Sequence, residues 1–192
     1  MSKQEVEKKI NVVIVHGSPV EKEEVSTYNK HWIPLLKKKL EEKKIKVITP
    51  LMPNPWEPDY NNWKKVFEKN KIDENSILVG HSSGTTFLVR WLGDTKKKIK
   101  KLILVAPWKL PWEESKSSKE FCNYKINPEL KNNVKEIVYF TSNDEEEDGK
   151  ESLRIFNKAL PGKVIELKNH GHFTLEEMKT EEFPELLNEV LL

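Results

Sequence analysis

The strongest constraint on this chain is a rhythm. Short runs of Val, Ile and Leu recur at residues 12–15, 47–48, 77–79, 102–105, 137–140 and 164–167, and amphipathic stretches lie between them. An apolar run too short for a helix and without polar alternation reads as a strand buried on both faces. The intervening stretches follow helical spacing instead. Trp32, Ile33, Leu36 and Leu40 share one face of 28–44, Trp63, Val66 and Phe67 one face of 59–69, and Phe87, Leu88, Trp91 and Leu92 one face of 85–92. Further helices are expected over 151–160, closed by Pro161-Gly162, and over 181–192. Alternation of this kind predicts an α/β fold, a three-layer α/β/α sandwich around a mostly parallel sheet of roughly six strands. A length of 192 residues suits one ordinary domain, expected to span 1–192.

One interval, 106–134, breaks the rhythm. It holds Pro107, Trp108, Pro111, Trp112, Phe121, Tyr124 and Pro128 without a clear period. The expectation is an irregular, lid-like excursion over one end of the sheet, whose aromatic content argues against disorder. A surface loop pinned by its aromatics and without function is the alternative of equal weight.

Charge narrows the partners. The 33 Lys and Arg against 31 Asp and Glu leave +2, with both signs interspersed, which argues against nucleic acid. All the basic residues except Arg90 and Arg154 are lysines, so planar clamps for phosphate are scarce. No apolar run approaches the roughly 20 residues of a membrane span, and the first ten residues lack the apolar stretch of a secretory signal. A cytoplasmic protein with no membrane partner is therefore expected. Cys122 is the single cysteine, which excludes an internal disulfide and leaves no cysteine cluster for a metal. It reads as a small core residue rather than a reactive thiol.

The chemistry concentrates at Gly80-His81-Ser82-Ser83-Gly84, between the third apolar run and the third helical stretch. This is G-x-S-x-G in the strand-turn-helix setting that a nucleophilic serine needs, where glycine fits because the sharp turn presses those positions against adjacent chain. At this composition the pattern is expected by chance only about 0.014 times. Such a turn exposes the Ser82 hydroxyl and aims the Ser83 N–H, at a helix start, toward a developing oxyanion. The loop after the first strand, Val15-His16-Gly17-Ser18-Pro19, is the candidate for a second donor, with Gly17 allowing close approach and Ser18 N–H donating. His16 itself reads as a structural hydrogen-bonding residue of that loop.

A serine hydroxyl needs a base within hydrogen-bond reach. In hydrolases with this turn the order along the chain is nucleophile, acid, base, which favours a histidine after the last strand. His172 is the first choice and His170 the second. The acid belongs in the loop after the fifth strand, where residues 144–148 form an acidic run. Most of that run must face water, because several like charges cannot be buried together. Asp144 or Glu145 is the carboxylate expected to turn inward.

The chain resembles the small serine hydrolases typified by retinoblastoma-binding protein 9, which are compact α/β-hydrolase-fold proteins. The resemblance spans nearly the whole length. It rests on residues 12–17, His31-Trp32-Ile33-Pro34-Leu35-Leu36, residues 52–63, Gly80-His81-Ser82-Ser83-Gly84 and Gly171-His172-Phe173. It implies Ser82 as nucleophile and His172 as base. The family's acid is the second of two aspartates, and an ungapped match puts Glu145 there, whereas a shift of one residue would select Asp144. The proline-containing apolar stretch that follows the acid in the family is missing here. The resemblance further implies hydrolysis of esters or related acyl compounds, some members being peptidase-like, with no cofactor and no metal.

The leading expectation is thus an esterase-type enzyme acting on a small-molecule acyl substrate, with the Trp and Pro residues of the excursion forming an apolar wall suited to a short acyl or aromatic group. The competing reading keeps the fold and assigns a binding role without turnover.

Overall fold

The computed structural model describes residues 10–19, 30–112 and 115–192. Six strands, β1 (Asn11–Val15), β2 (Lys46–Ile48), β3 (Ser76–His81), β4 (Ile99–Val105), β5 (Val134–Ser142) and β6 (Lys163–Leu167), form one sheet in the order β2-β1-β3-β4-β5-β6. Every neighbouring pair is parallel. The helices among the described residues are α1 (Ile33–Glu42), α2 (Tyr60–Phe67), α3 (Ser83–Thr95), α4 (Lys116–Cys122), α5 (Glu147–Ala159), α6 (Leu175–Met178) and α7 (Pro184–Leu191).

The two-residue period of a strand builds the two outer layers. Val12 and Ile14 of β1 pack on one side with Trp32, Leu36 and Leu40 around α1 and with Leu186 and Val190 of α7. Val13 and Val15 pack on the other side with Trp63 and Phe67 of α2, Phe87 and Trp91 of α3 and Phe156 of α5. β3 lies at the middle of this sandwich and is buried at every residue. The expected buried strand at 164–167 is instead an edge strand, with Val164 44% exposed, because β6 has a neighbour only on the β5 side.

The chain leaves β1 for β2 on one side and returns to β3 on the other. The connections after β1 and β3 therefore part at the C-terminal edge of the sheet, which is where open α/β sheets form their crevice. Residues 16–19 and 82–84 flank that crevice.

Within 106–134 the chain is more regular than expected. Ser115 accepts from Ser118 N–H at 3.2 Å and caps α4, and Pro128–Asn132 forms a short 3-10 helix. Phe121 of α4 is buried against Trp63, with ring centroids 5.0 Å apart, so the excursion is tied into the core. Cys122 is buried beside it, and burial pushes its thiol up to about 12, which suits a core residue and not a nucleophile. α5 begins at Glu147, earlier than the expected 151, so Glu147 and Asp148 fall in its first turn, where the helix dipole favours negative charge. No helix among the described residues is long and apolar enough to cross a membrane.

Candidate active site

Ser82 occupies the turn between β3 and α3 with φ 52° and ψ −125°, a conformation unfavourable for any residue with a side chain. The surroundings hold it there. Its N–H donates to Val105 O at 3.0 Å, and its carbonyl accepts from Thr85 N–H at 2.9 Å and from the Thr85 hydroxyl at 2.6 Å. A Cβ on Gly84 would stand 2.4 Å from Val15 O, so the turn can press against β1 only with glycine there. α3 starts at the next residue, so the backbone N–H groups of Ser83 and Gly84, at the positive end of the helix, follow directly on Ser82.

The structure brings Ser82, His172 and Glu145 together from three separate loops. Ser82 Oγ lies 2.9 Å from His172 Nε2, and His172 Nδ1 lies 3.0 Å from Glu145 Oε1. An ionised carboxylate can only accept, so Nδ1 carries the ring hydrogen and Nε2 presents its lone pair to the Ser82 hydroxyl. Glu145 is buried, its side chain 1% exposed, and Oε1 also accepts from Glu146 N–H at 3.0 Å. Gly149 of α5 makes room for it: a Cβ there would stand 2.7 Å from the Glu145 carboxyl carbon.

Asp144, the other candidate acid, stands elsewhere. Its Oδ1 accepts from the Gly171 N–H at 3.0 Å and from the Ser142 hydroxyl, and these bonds, the hydroxyl's first, hold its carboxyl below the usual range. Ser142 Oγ accepts from His170 N–H at 3.0 Å and Asn143 Oδ1 from Asn169 N–H at 2.8 Å. Residues 142–144 thus fasten the loop that carries His172. His170, the second-choice base, turns away from Ser82, with Nδ1–H donating to Lys168 O at 2.7 Å and its ring packed on Phe173.

Three further side chains, those of His81, Glu177 and His31, make contacts that escape a reading of the sequence. His81 is buried, and its Nε2–H donates to the carbonyl of His172 at 2.9 Å. Burial, reinforced by the facing His172 and His31, keeps the His81 ring well below its ordinary pKa and therefore neutral. Glu177 accepts from His172 N–H at 2.7 Å and from the Thr174 hydroxyl at 2.9 Å. His31, which the helical pattern assigns to the first helix, precedes α1 at φ 59° and accepts at Nδ1 from Leu175 N–H at 2.9 Å. His81 inside the motif and His31 in a segment shared with the resembled family were the visible signals for these.

Ser18 and Ser83, the expected oxyanion donors, meet through their hydroxyls at 2.8 Å, which docks the loop after β1 against the start of α3. A Cβ on Gly17 would stand 2.9 Å from Ser82 Cβ. His16 beneath this loop accepts at Nε2 from Met52 N–H at 3.0 Å and donates from Nδ1 to Gly17 O at 2.6 Å. Burial lowers its pKa to about 4, so it is a neutral structural residue, in line with its sequence reading.

Gly17, Ser18, Ser82, Ser83 and His172 open on a cavity of about 590 Å³ walled by Trp108 and Trp112 of the excursion. Trp108 stands edge-on to the His172 ring, with centroids 5.1 Å apart. The cavity is more acidic than an apolar wall implies, since Glu146, Asp148, Glu176 and Glu177 also line it. Among the described residues no group of three His, Cys, Asp or Glu side chains could hold a metal ion.

A family model described as serine hydrolase matches residues 12–189. The chain belongs to the serine hydrolase family. Among solved structures, the ydeN gene product of Bacillus subtilis superposes with a TM-score of 0.83 at 22% identity, covering 95% of this chain and 97% of that one. Est1E from Butyrivibrio proteoclasticus with ferulic acid bound gives 0.62 at 12% identity, over 95% of this chain and 86% of that one. Carboxylesterase CesB of Bacillus subtilis gives 0.58 at 12%, over 96% and 83%. No curated protein matches the chain. These likenesses show that this member of the serine hydrolase family has the compact α/β-hydrolase fold.

Proposed function

We propose that the chain is an esterase-type serine hydrolase in which Ser82 is the nucleophile, His172 the general base and acid, and Glu145 the carboxylate that orients His172. The observation that carries this reading is the unbroken chain of two hydrogen bonds, 3.0 Å and 2.9 Å long, from a buried carboxylate through an imidazole to a serine in a strained turn. His172 Nε2 takes the Ser82 proton as Oγ bonds to the substrate carbonyl carbon. The tetrahedral oxyanion is held by the N–H groups of Ser83 and Ser18. Collapse expels the leaving group, which takes the proton from His172 and leaves an acyl-Ser82 ester. Water, deprotonated by the same imidazole, then releases the acid and restores Ser82.

Glu145 contributes by fixing the Nδ1–H tautomer and by stabilising the imidazolium that forms midway. The four-atom reach of a glutamate replaces the shorter aspartate, and Gly149 supplies the space that the longer side chain needs. The carboxylesterase and ferulic-acid-bound relatives of the same fold support an acyl substrate, and the tryptophan wall suits a short or aromatic acyl group. The test is hydrolysis of aryl esters by the intact protein and by Ser82→Ala and His172→Ala. Each variant is expected to lose about a thousandfold or more in kcat/KM while keeping its circular dichroism. Unchanged turnover in either folded variant rules out that residue's role.

A further inference from the structure

The cavity in front of Ser82 is chemically lopsided. Among its described lining residues are four carboxylates, Glu146, Asp148, Glu176 and Glu177, against one ammonium, Lys30. The carboxylates are not scattered. Glu146 and Asp148 lie one and three residues after Glu145, and Glu176 and Glu177 four and five after His172, so all four belong to the two segments that bring the acid and the base to Ser82. The oxyanion segments, residues 17–19 and Ser83, add no carboxylate to the lining. An acidic patch alone would carry no meaning. These groups matter because they share one cavity with an oriented serine and with the indoles of Trp108 and Trp112, whose faces attract cations.

Resting on the hydrolase reading, we infer that the substrate's leaving group carries a positive charge, as in an ester of an aminoalcohol, while its acyl group is neutral. The leaving oxygen must lie by His172 Nε2, because that nitrogen returns the proton to it, and the carboxylates come from the segments that carry Glu145 and His172. In the step itself Ser82 Oγ bonds to the acyl carbon, the bond from that carbon to the alcohol oxygen breaks, and the alcohol departs with the His172 proton. Its ammonium charge is unchanged throughout. Attraction of that charge acts in the ground and transition states alike, so it raises kcat/KM chiefly through KM. A cavity of about 590 Å³ accommodates an aromatic acyl group and a small alcohol together.

The test compares benzoylcholine with 3,3-dimethylbutyl benzoate, in which a carbon replaces the quaternary nitrogen at the same shape. Each kcat/KM is divided by the ester's hydroxide-catalysed rate to remove intrinsic reactivity. The expected preference for the choline ester is about tenfold or more at low salt, and it shrinks as salt is raised. Glu176→Gln should reduce the ratio, and Glu146→Gln/Asp148→Asn/Glu176→Gln should reduce it further, to the part that Glu177 and the two indoles supply. Labelling of Ser82 by a fluorophosphonate runs in parallel. Labelling together with a ratio at or below one, or with no turnover of benzoylcholine, overturns the cation assignment and leaves the hydrolase reading standing. Absence of labelling in folded protein overturns both.

Discussion

Two adjacent carboxylates, Asp144 and Glu145, show how residues one position apart take different tasks. Glu145 reaches the His172 ring, while Asp144 binds the backbone that carries it. Glu145→Gln keeps a hydrogen-bonding oxygen but no charge, and it permits the wrong imidazole tautomer; kcat is expected to fall about a thousandfold or more. Asp144→Asn still offers an oxygen to Gly171 N–H, so its loss should stay within about fivefold. Steady-state ester hydrolysis by the two variants checks the assignment, and a reversed order would transfer the role to Asp144. Gly149→Ala gives a third test. Alanine normally favours a helix interior over glycine by about 0.5–1 kcal/mol. Here the added methyl meets the Glu145 carboxyl, so activity should fall about tenfold to a hundredfold with no gain in melting temperature. The residues alone left Asp144 and Glu145 open and only the ungapped family match pointed to Glu145, because the choice depends on how residues 142–145 turn after β5, and Gly149 gains meaning only when that turn is known.

At the scale of elements, the loops around Ser82 are positioned by buried neutral histidines, and this predicts a pH dependence of stability. His16 has a folded pKa of about 4 against 6.5 in the unfolded chain, and His81 is shifted in the same direction. Above 6.5 both states are neutral and the full stability is present. As pH falls from 6.5 toward 4, the unfolded chain binds protons that the folded one refuses, so stability declines. Denaturant unfolding between pH 7 and 4.5 should show this decline, and His16→Asn should flatten it by about one proton per molecule. An unaltered slope would mean that His16 is protonated in the folded protein. The elements themselves were largely legible. All six apolar runs fall in strands, all but 164–167 are largely buried, and the G-x-S-x-G turn falls where β3 meets α3. α4 was not legible, since Lys116–Cys122 carries apolar side chains only at Phe121 and Cys122 and has no period to detect. Its helical state comes from the Ser115 cap and from Phe121 packing on Trp63.

Across the whole molecule, the end of the sheet remote from Ser82 is closed by a buried ion network. Lys101 of β4 donates to Glu189 Oε1 of α7 at 2.9 Å and to Glu136 Oε2 at 2.9 Å, and Lys163 of β6 donates to Glu189 Oε2 at 2.7 Å. The Lys101 and Glu189 side chains are 1% and 3% exposed, so removing one leaves the other charged and out of reach of water. Glu189→Ala should cost about 3 kcal/mol in denaturant unfolding, the lower end for a broken buried pair because Glu136 still neutralises Lys101. Ester turnover per folded molecule should not change, since the network lies at the opposite end of β4 from the crevice. An equal loss of turnover would show that the two ends of the sheet are coupled. The central claim concerns the other end: a strained turn, a buried glutamate and an imidazole together make one serine of the chain a nucleophile. Treating the purified protein with a fluorophosphonate and locating the adduct by mass spectrometry tests it most directly. A single adduct on Ser82, abolished in Ser82→Ala and strongly slowed in His172→Ala, is the predicted result. Folded protein that takes no label, or takes it on another residue, would contradict the account.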